Sequence, residues 1–374
     1  MVDSNHPECT GCGACAASCP NHCIDIVIAS SGEYRPAINT DNCVNCNLCN
    51  KVCVVENDAV KKHSIGGAFY GWSLSDEINE CSSGGIASAV SEYIILQKGI
   101  VVGAYFDVNS GIVLHRAVEN QNDISFLRGS KYVESNLSAI YVDIKNYLKN
   151  GKIVLFIGVP CQVLAVKNYL RKEYDNLITI EVFCHGAPRI GVFQKYFTYM
   201  KSKYGDLNSF NFRSKQFGWK FASYNIKFKN KEIHEKHVNN IYHLMFGHHN
   251  SLRKSCFSCR CRGDNRSADI SLGDFWGVDK FYPEVDTKKG VSAIFVNTKK
   301  GADIINSIKE NIEIFDCKKE EILEKNKYFI KNFPIPKNQN NFENDFKNLP
   351  ERFFFAKYLF LYKFWFRVLR KLKI

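Results

Sequence analysis

Two cysteine runs near the start of the chain share one spacing. The first is Cys9-x-x-Cys12-x-x-Cys15-x-x-x-Cys19, followed by Pro20; the second is Cys43-x-x-Cys46-x-x-Cys49-x-x-x-Cys53, followed by Val54. Nine of the sixteen cysteines lie between Cys9 and Cys53. Two-residue gaps let a tightly wound loop aim three thiolates at three metal atoms of one small cage, and a fourth thiolate from the distant run ties the two loops together. Gly11 and Gly13 allow the backbone to come close and donate N–H groups to bound sulfur. The segment before Cys9 has neither the basic start nor the apolar stretch of a signal peptide, so the chain is expected in the cytoplasm, where disulfides are disfavoured and thiols serve metals or redox chemistry. Structural zinc fits poorly. It needs four ligands, commonly in C-x2-C pairs, not triplets closed by C-x3-C.

The doubled run resembles the bacterial ferredoxin module, in which the fourth cysteine of each run ligates the other cluster. That rule implies two 4Fe–4S clusters. Cys9, Cys12, Cys15 and Cys53 hold one; Cys43, Cys46, Cys49 and Cys19 hold the other. Val54 in place of a second proline departs from the usual ending but removes no ligand. Cys23 reads as a small buried thiol. Ile24–Ile28 alternates like a short strand, with Arg35–Ile38 as its partner. A module this small has little core and depends on its clusters to fold.

After Asn57 the pattern changes. Ala68–Ser73, Ile100–Phe106, Lys152–Ile157, Leu177–Phe183 and Ala268–Leu272 read as strands; Ile86–Leu96, Val163–Arg171 and a segment reaching Tyr199 read as helices. Strand–turn–helix repetition predicts an α/β domain with a largely parallel sheet. The aromatic alternation from Ser209 to Ile233 predicts an antiparallel β insertion. The fold is therefore expected as an α+β ferredoxin-like module over residues 1–60 and an α/β domain over 61–345, with a basic amphipathic helix over 346–374.

In such sheets ligands bind where strands end. Cys161 and Cys184 fall there, and Cys256-x-x-Cys259-x-Cys261 adds a metal-type pair. Cys161, Cys184, Cys256 and Cys259 are the expected ligands of a third 4Fe–4S cluster, with Cys81 and Cys261 in reserve. Helix N-termini are expected to lower the pKa of Cys161 and Cys184. Cys81-Ser82-Ser83-Gly84-Gly85 suits either a plain N-cap or a phosphate cradle. Arg213 and Lys215 suit either a phosphate or a solvated strand face. His243, His248 and His249 read as a solvated surface cluster before a zinc site.

Five segments in order carry a wider resemblance: Cys81-Ser-Ser-Gly-Gly85, Gly158-Val-Pro-Cys-Gln162, Cys184-His-Gly186, Phe212-Arg-Ser-Lys-Gln-Phe-Gly-Trp219, and Cys256-x-x-Cys259 leading to Asp269-Ile-Ser-Leu-Gly-Asp-Phe-Trp-Gly277. Together, from about Ala68 to the 330s, they resemble the family of the coenzyme F(420) hydrogenase/dehydrogenase beta subunit. The resemblance implies an oxidoreductase whose FAD trades a hydride for single electrons on clusters. By analogy Ser82, Ser83, Gly84 and Gly85, together with Gly158, Pro160 and Gln162, are flavin-contacting, and Arg213 and Lys215 touch phosphate or substrate. The partner is then a hydride-carrying coenzyme or a redox protein. The Gly-Asp-Phe-Trp-Gly ending is similar to a subgroup that accompanies polysaccharide-modifying enzymes. The alternative is an electron relay with clusters and no flavin, since no complete G-x-G-x-x-G fingerprint is present.

The net charge is +12, and the last 24 residues hold seven basic residues and one acidic one. The body is only mildly basic, which argues against nucleic acid. On a helical wheel Leu361, Trp365, Val368, Leu369 and Leu372 share one side and Lys363, Arg367, Arg370 and Lys371 the other, a pattern suited to a membrane surface, a partner or the body itself.

Overall fold

A computed structural model describes residues 1–57 and 60–371, with side chains through Tyr362 in the last helix. In chain order, α1 (Ala14–Ala17), β1 (Ile24–Ile28), β2 (Tyr34–Ile38) and α2 (Leu48–Val52) form the N-terminal module. β1 and β2 are an antiparallel hairpin, in register from Ile24 opposite Ile38 to Ile28 opposite Tyr34. There follow β3 (His63–Ser64), β4 (Gly67–Ser73), α3 (Ile86–Leu96), β5 (Ile100–Asp107), β6 (Ile112–Val118), β7 (Ser135–Asn136) and α4 (Ile140–Lys149). Next are β8 (Val154–Gly158), α5 (Pro160–Leu170), β9 (Leu177–Val182) and α6 (Ile190–Tyr204). The insertion holds β10 (Leu207–Ser214), β11 (Ser223–Phe228) and β12 (Glu232–Lys236), and α7 (Ile241–Gly247) follows it. The rest comprises β13 (Asn265–Arg266), β14 (Ile270–Asp274), α8 (Val278–Phe281), β15 (Ser292–Val296), α9 (Lys299–Ser307), β16 (Ile312–Asp316), α10 (Lys319–Lys325), α11 (Gln339–Asn348) and α12 (Glu351–Lys371).

Among the described residues the main sheet has nine strands in the order β16-β4-β15-β14-β9-β8-β5-β6-β7. Its centre, β14-β9-β8-β5, is parallel. The flanking pairs are antiparallel except β6 with β7, which is parallel, so the sheet is mixed. The central strands are near-continuous Val/Ile/Leu/Phe because both faces are covered; Val154, Leu155, Phe156 and Ile180 are completely buried. β10, β11 and β12 make a separate antiparallel sheet.

α5 explains how the two parts join. Every residue from Pro160 to Leu170 except Lys167 is buried, because one side faces the sheet and the other faces the N-terminal module. Ala14, Val52, Val54 and Val55 share a core with Tyr141, Ile144, Val163 and Tyr169. Removing apolar surface of this kind from water contributes about 25 cal/mol per Å². The helix starts at Pro160, not at Val163 as the pattern suggested; proline at the first helical position costs nothing there.

In the first half of α12, Phe354, Phe355, Tyr358 and Tyr362 are buried against the cluster that includes Tyr196, Tyr242 and Phe342. Tyr358 Oη donates to Asp345 and Tyr362 Oη to Asn250. Of the wheel positions, Leu361 is partly buried on the same cluster; Trp365, Val368, Leu369, Leu372, Lys363, Arg367, Arg370 and Lys371 lie outside the described side chains. No helix among the described residues is long and apolar enough to cross a membrane.

Candidate metal centres

The two runs fold into two cysteine-lined clefts. Cys9, Cys12, Cys15 and Cys53 line the first, with about 470 Å³ of space. Cys19, Cys43, Cys46 and Cys49 line the second, with about 370 Å³. Each cleft thus combines three thiols from one run with the last thiol of the other. Gly11 has φ +63 and a Cβ there would sit 2.6 Å from the Tyr34 carbonyl; at Gly13, φ +80, it would sit 2.5 Å from Ser138 Oγ. Only glycine satisfies both demands. In the second run the left-handed positions are Asn45 and Asn47, the next most tolerant residue. Burial, then the neighbouring Cys9 and Cys53, pushes the Cys12 thiol up to about 11. Burial and the same neighbours also raise Cys15. Thiols crowded in low dielectric resist ionising together until a cationic group joins them.

Cys23 is buried but not idle. It lines the second cleft, and its sulfur is 3.3 Å from that of Cys19. Its spacing, four residues after Cys19, was the available signal.

A third group of thiols lies at the carboxyl edge of the main sheet. Cys161 is in the first turn of α5, Cys184 follows β9, and Cys256, Cys259 and Cys261 come from the loop before β13. Cys161 senses the charges of Cys259 and Cys184, and Cys184 those of Cys256 and Cys259. Burial pushes both Cys161 and Cys184 up to about 12, so the expected lowering at helix starts is overturned: desolvation outweighs the dipole. Cys259 and Cys261 share a side-chain contact that lowers the first and raises the second. The loop is pinned by Arg266, which donates to the carbonyls of Cys261 and Gly263 and pairs with buried Glu181 at 2.5 Å. Cys81 is elsewhere: its sulfur lies 3.5 Å from the Glu77 carbonyl, beneath the 82–85 turn.

The surroundings suit a polyatomic anion better than one ion. Among the described residues no group of three or more His, Cys, Asp or Glu converges to hold a single metal ion. Yet Thr10 Oγ1, Ser255 Oγ, Arg253 Nε, and Arg262 Nε and Nη1 are buried without a hydrogen-bond partner. All five sit on residues next to, or touching, these cysteines. Unpaired buried donors are costly, and thiolate and sulfide acceptors at this place would satisfy them.

Two side chains that sequence reasoning missed span the gap between the first and third groups. Tyr141 Oη donates to the Cys12 carbonyl at 2.8 Å, and its environment includes Cys15 and Cys161. Arg253 donates to the Thr10 carbonyl and, at 3.6 Å, to Cys161 Sγ. The helix that carries Cys161 also reaches the last cysteine of the module: Asn168 Nδ2 donates to the Cys53 carbonyl at 3.4 Å.

The remaining expected site residues gather along the same edge. Arg213 donates to the Ser82 carbonyl, the Tyr132 hydroxyl and Asp274. Lys215, pushed down to about 8 by burial, donates to the carbonyls of Ile78 and Ser83. Both therefore brace the 82–85 turn rather than form a solvated face. The serines do not cap α3: its N-cap is Gly85, in the left-handed conformation, while Ser83 Oγ bonds the Val291 carbonyl and Ser82 Oγ accepts from Ser130. Gly84 packs against Gly71 and Ser292, with no room for a Cβ. At the other turn, Gln162 accepts from the Val159 N–H and donates to Ser135, close to Gly158 and Pro160.

The three histidines form no surface row. His243 stacks on His237 at 3.8 Å and meets the Tyr224 hydroxyl. His249 Nε2 lies 3.0 Å from His185 Nε2, and exposed His248 stacks on Tyr362. α7 ends at Gly247, and the left-handed backbone at His249, φ 65, turns the last two away from the direction of His243.

Residues 151–320 match a family model for the carboxyl terminus of the coenzyme F420 hydrogenase/dehydrogenase beta subunit, and residues 8–57 match one for a 4Fe-4S dicluster domain. Over its body the chain is similar to the coenzyme F(420) hydrogenase/dehydrogenase beta-subunit family, and the segment before it matches the 4Fe-4S dicluster domain. The chain is an iron–sulfur protein of the electron-transfer class, related to F(420)-dependent oxidoreductases. Its relatives include the F(420)H(2) dehydrogenase of Methanosarcina mazei, through its F subunit, which is 22% identical over 330 residues, covering 83% of this chain and 85% of that protein. Another is the coenzyme F420-dependent sulfite reductase of Methanocaldococcus jannaschii, 24% identical over 340 residues and 85% of this chain. The match covers 49% of that reductase, so the chain spans about half its length. A solved F420-reducing NiFe hydrogenase complex from Methanosarcina barkeri contains a chain that aligns over 77% of this one and 94% of its own length, at TM-score 0.48 and 17% identity.

Proposed function

We propose that this protein is a flavin- and iron–sulfur-dependent oxidoreductase that moves electrons between a hydride carrier and three 4Fe–4S clusters. The observation that carries the reading is the contiguity of the thiol groups: Arg253 reaches from the Thr10 carbonyl in the Cys9–Cys12 loop to Cys161. When bound, the clusters supply one-electron transfer. Cys9, Cys12, Cys15 and Cys53 would hold the first, Cys19, Cys43, Cys46 and Cys49 the second, and Cys161, Cys184, Cys256 and Cys259 the third. The chain's own part is to keep these sites dry and close.

FAD is the finer half of the proposal. Its support is position: the Ser82–Gly85 and Gly158–Gln162 turns lie on either side of Cys184 along the carboxyl edge, where ligands of such sheets bind. The partner is proposed to be a hydride-carrying coenzyme of the F(420) type, named in the relatives, or a redox protein.

Anaerobic purification followed by iron, sulfide and flavin assay tests this. About twelve irons with one flavin is the expected result, at four irons per cube. About eight irons and no flavin would make the protein a relay built on its first 53 residues. Cys256→Ala is expected to lose about four irons; unchanged iron would remove the third cluster.

A further inference from the structure

The three thiol groups have unequal electrostatic surroundings. Two guanidinium groups flank the third. Arg253 is 7% exposed and contacts Cys161 Sγ at 3.6 Å. Its nearest carboxylate, Glu134, is 3.5 Å from Nε without a hydrogen bond, and burial favours the neutral form of that acid. Arg262 follows Cys261, its backbone N–H bonds the Cys259 carbonyl at 3.4 Å, its charge acts on Cys184 and Cys259, and its guanidinium packs over the Phe333 ring at 4.1 Å with Nε and Nη1 buried and unpartnered. Among the described residues no Lys or Arg side chain lines the cleft of Cys19, Cys43, Cys46 and Cys49; the cation there is the Met1 amino group, 3.5 Å from Asn47 Oδ1 and exposed. At the first cleft the acidic residues Asp3 and Glu56 are on the wall, and Arg35 and Arg260 bond backbone carbonyls there, those of His6 and Val55, rather than a thiol.

We propose that Arg253 and Arg262 are potential-setting residues, fixed positive charges that hold a cluster at Cys161, Cys184, Cys256 and Cys259 at a higher reduction potential than the two clusters of the N-terminal module. This rests on the third cluster proposed above. Reduction adds one negative charge to a cage already ringed by four thiolates, and nearby positive charge in a low-dielectric setting favours that step. Arginine suits the role because it stays charged when buried. In the transfer itself one N-terminal cluster is oxidised by one electron and the third is reduced by one; no bond forms and no proton moves. Electrons delivered to the module therefore collect in the body, at the sheet edge beside the two turns. Arg253 has a second task as a positioning residue, because its bond to the Thr10 carbonyl fixes the distance between the first and third sites.

The test uses the full chain, purified anaerobically, as wild type, Arg262→Gln, Arg262→Lys, Arg253→Gln and Arg253→Lys. Iron is assayed, and midpoint potentials are read by a redox titration followed by electron paramagnetic resonance. About twelve irons are expected throughout, at four per cube. Arg262→Gln should weaken electron affinity at one cluster by about tenfold or more, equivalent to about 59 mV for a one-electron couple, and leave the other two in place. Arg262→Lys should shift it less. Arg253→Gln should lower the same cluster and disturb one N-terminal signal as well. Three unchanged potentials in both Gln variants, with the full iron complement bound, would overturn the proposal. So would loss of one cube's iron from both the Gln and the Lys variant at either position, which would make the role one of packing. Iron for only two cubes in the wild type would instead sink the third cluster itself.

Discussion

Gly11 shows how much one residue decides. A methyl group there faces a left-handed backbone and the Tyr34 carbonyl at 2.6 Å, and neither backbone atom can move without the hairpin. Gly11→Ala is expected to cost about 1–3 kcal/mol in strain and to open the first cleft. Iron should fall by about four atoms while the second cleft keeps its share; full iron and an unchanged melting temperature would contradict this account. Residues also set the response to acid. His115 bonds the Ile157 carbonyl through Nε2, stacks on Phe156, and is held neutral by burial, which pushes its pKa down to about 4. The same cause takes His237 down to about 4. An unfolded chain binds these protons near 6.5 and the folded one only near 4, so stability is full above about pH 6.5 and drains as pH falls toward 4. Buried Glu134 works the other way: its pKa is raised to about 7 by burial, so its burial favours the folded state as pH falls from about 7 toward the normal carboxyl range. Other histidines, among them His243, are lowered in the same way and outnumber the raised glutamates Glu134 and Glu92, so net acid destabilisation is expected. Between about pH 7 and 5 the melting temperature of His115→Gln should fall less than that of wild type; an equal fall would show that His115 does not titrate on unfolding.

At the scale of elements, legibility followed range. β1 and β2 were readable because alternation and a short turn are local, and α3 began and ended where its apolar period did. The grouping of the eight N-terminal cysteines into two clefts was readable because their spacing is a local constraint. Tyr141, Arg253 and Arg262 were not. Their roles come from contacts with residues more than 90 positions away, or from packing around a cavity, and no short spacing marks them. His248 is exposed as expected, but His243 was misjudged for the same reason: it is covered because β11 and the segment after β12 fold back onto α7. α12 carries the clearest consequence. A helical wheel gives an apolar face but not what covers it, and Phe354, Phe355 and Tyr358 are covered by the body. Phe354→Ala is expected to cost about 3–5 kcal/mol, the usual range for a fully buried phenylalanine. Phe353→Ala, at a position 65% exposed, should be near neutral. Denaturant midpoints for the two variants measure the contrast, and equal midpoints would mean that the start of α12 does not dock on the body in solution.

The body is built on a mixed sheet, and the small N-terminal module packs on α5 and α4. α5 lies between them, so the module and the body share a core rather than a linker. That arrangement makes metal a structural element for more than the N-terminal module. With iron removed, the thiols around the two clefts lose the group that neutralises them, and a module of this size cannot hold its shape. Ala14, Val52 and Val54 would then leave the flanks of α4 and α5, exposing Tyr141, Val163 and Tyr169 to water. The β10-β11-β12 sheet packs in a different core, Phe210, Phe212, Tyr224 and Ile226 with Phe193 and Tyr196, which touches the module hairpin at Tyr34 and Ile26 but shares no residue with the core on α4 and α5. Chelation under anaerobic conditions should therefore raise amide hydrogen exchange in residues 9–53 and along the module-facing sides of α4 and α5, while β10, β11 and β12 stay protected. Faster exchange in β11 to the same degree as in α5 would show a single cooperative unit, and the shared helix would then be no boundary at all.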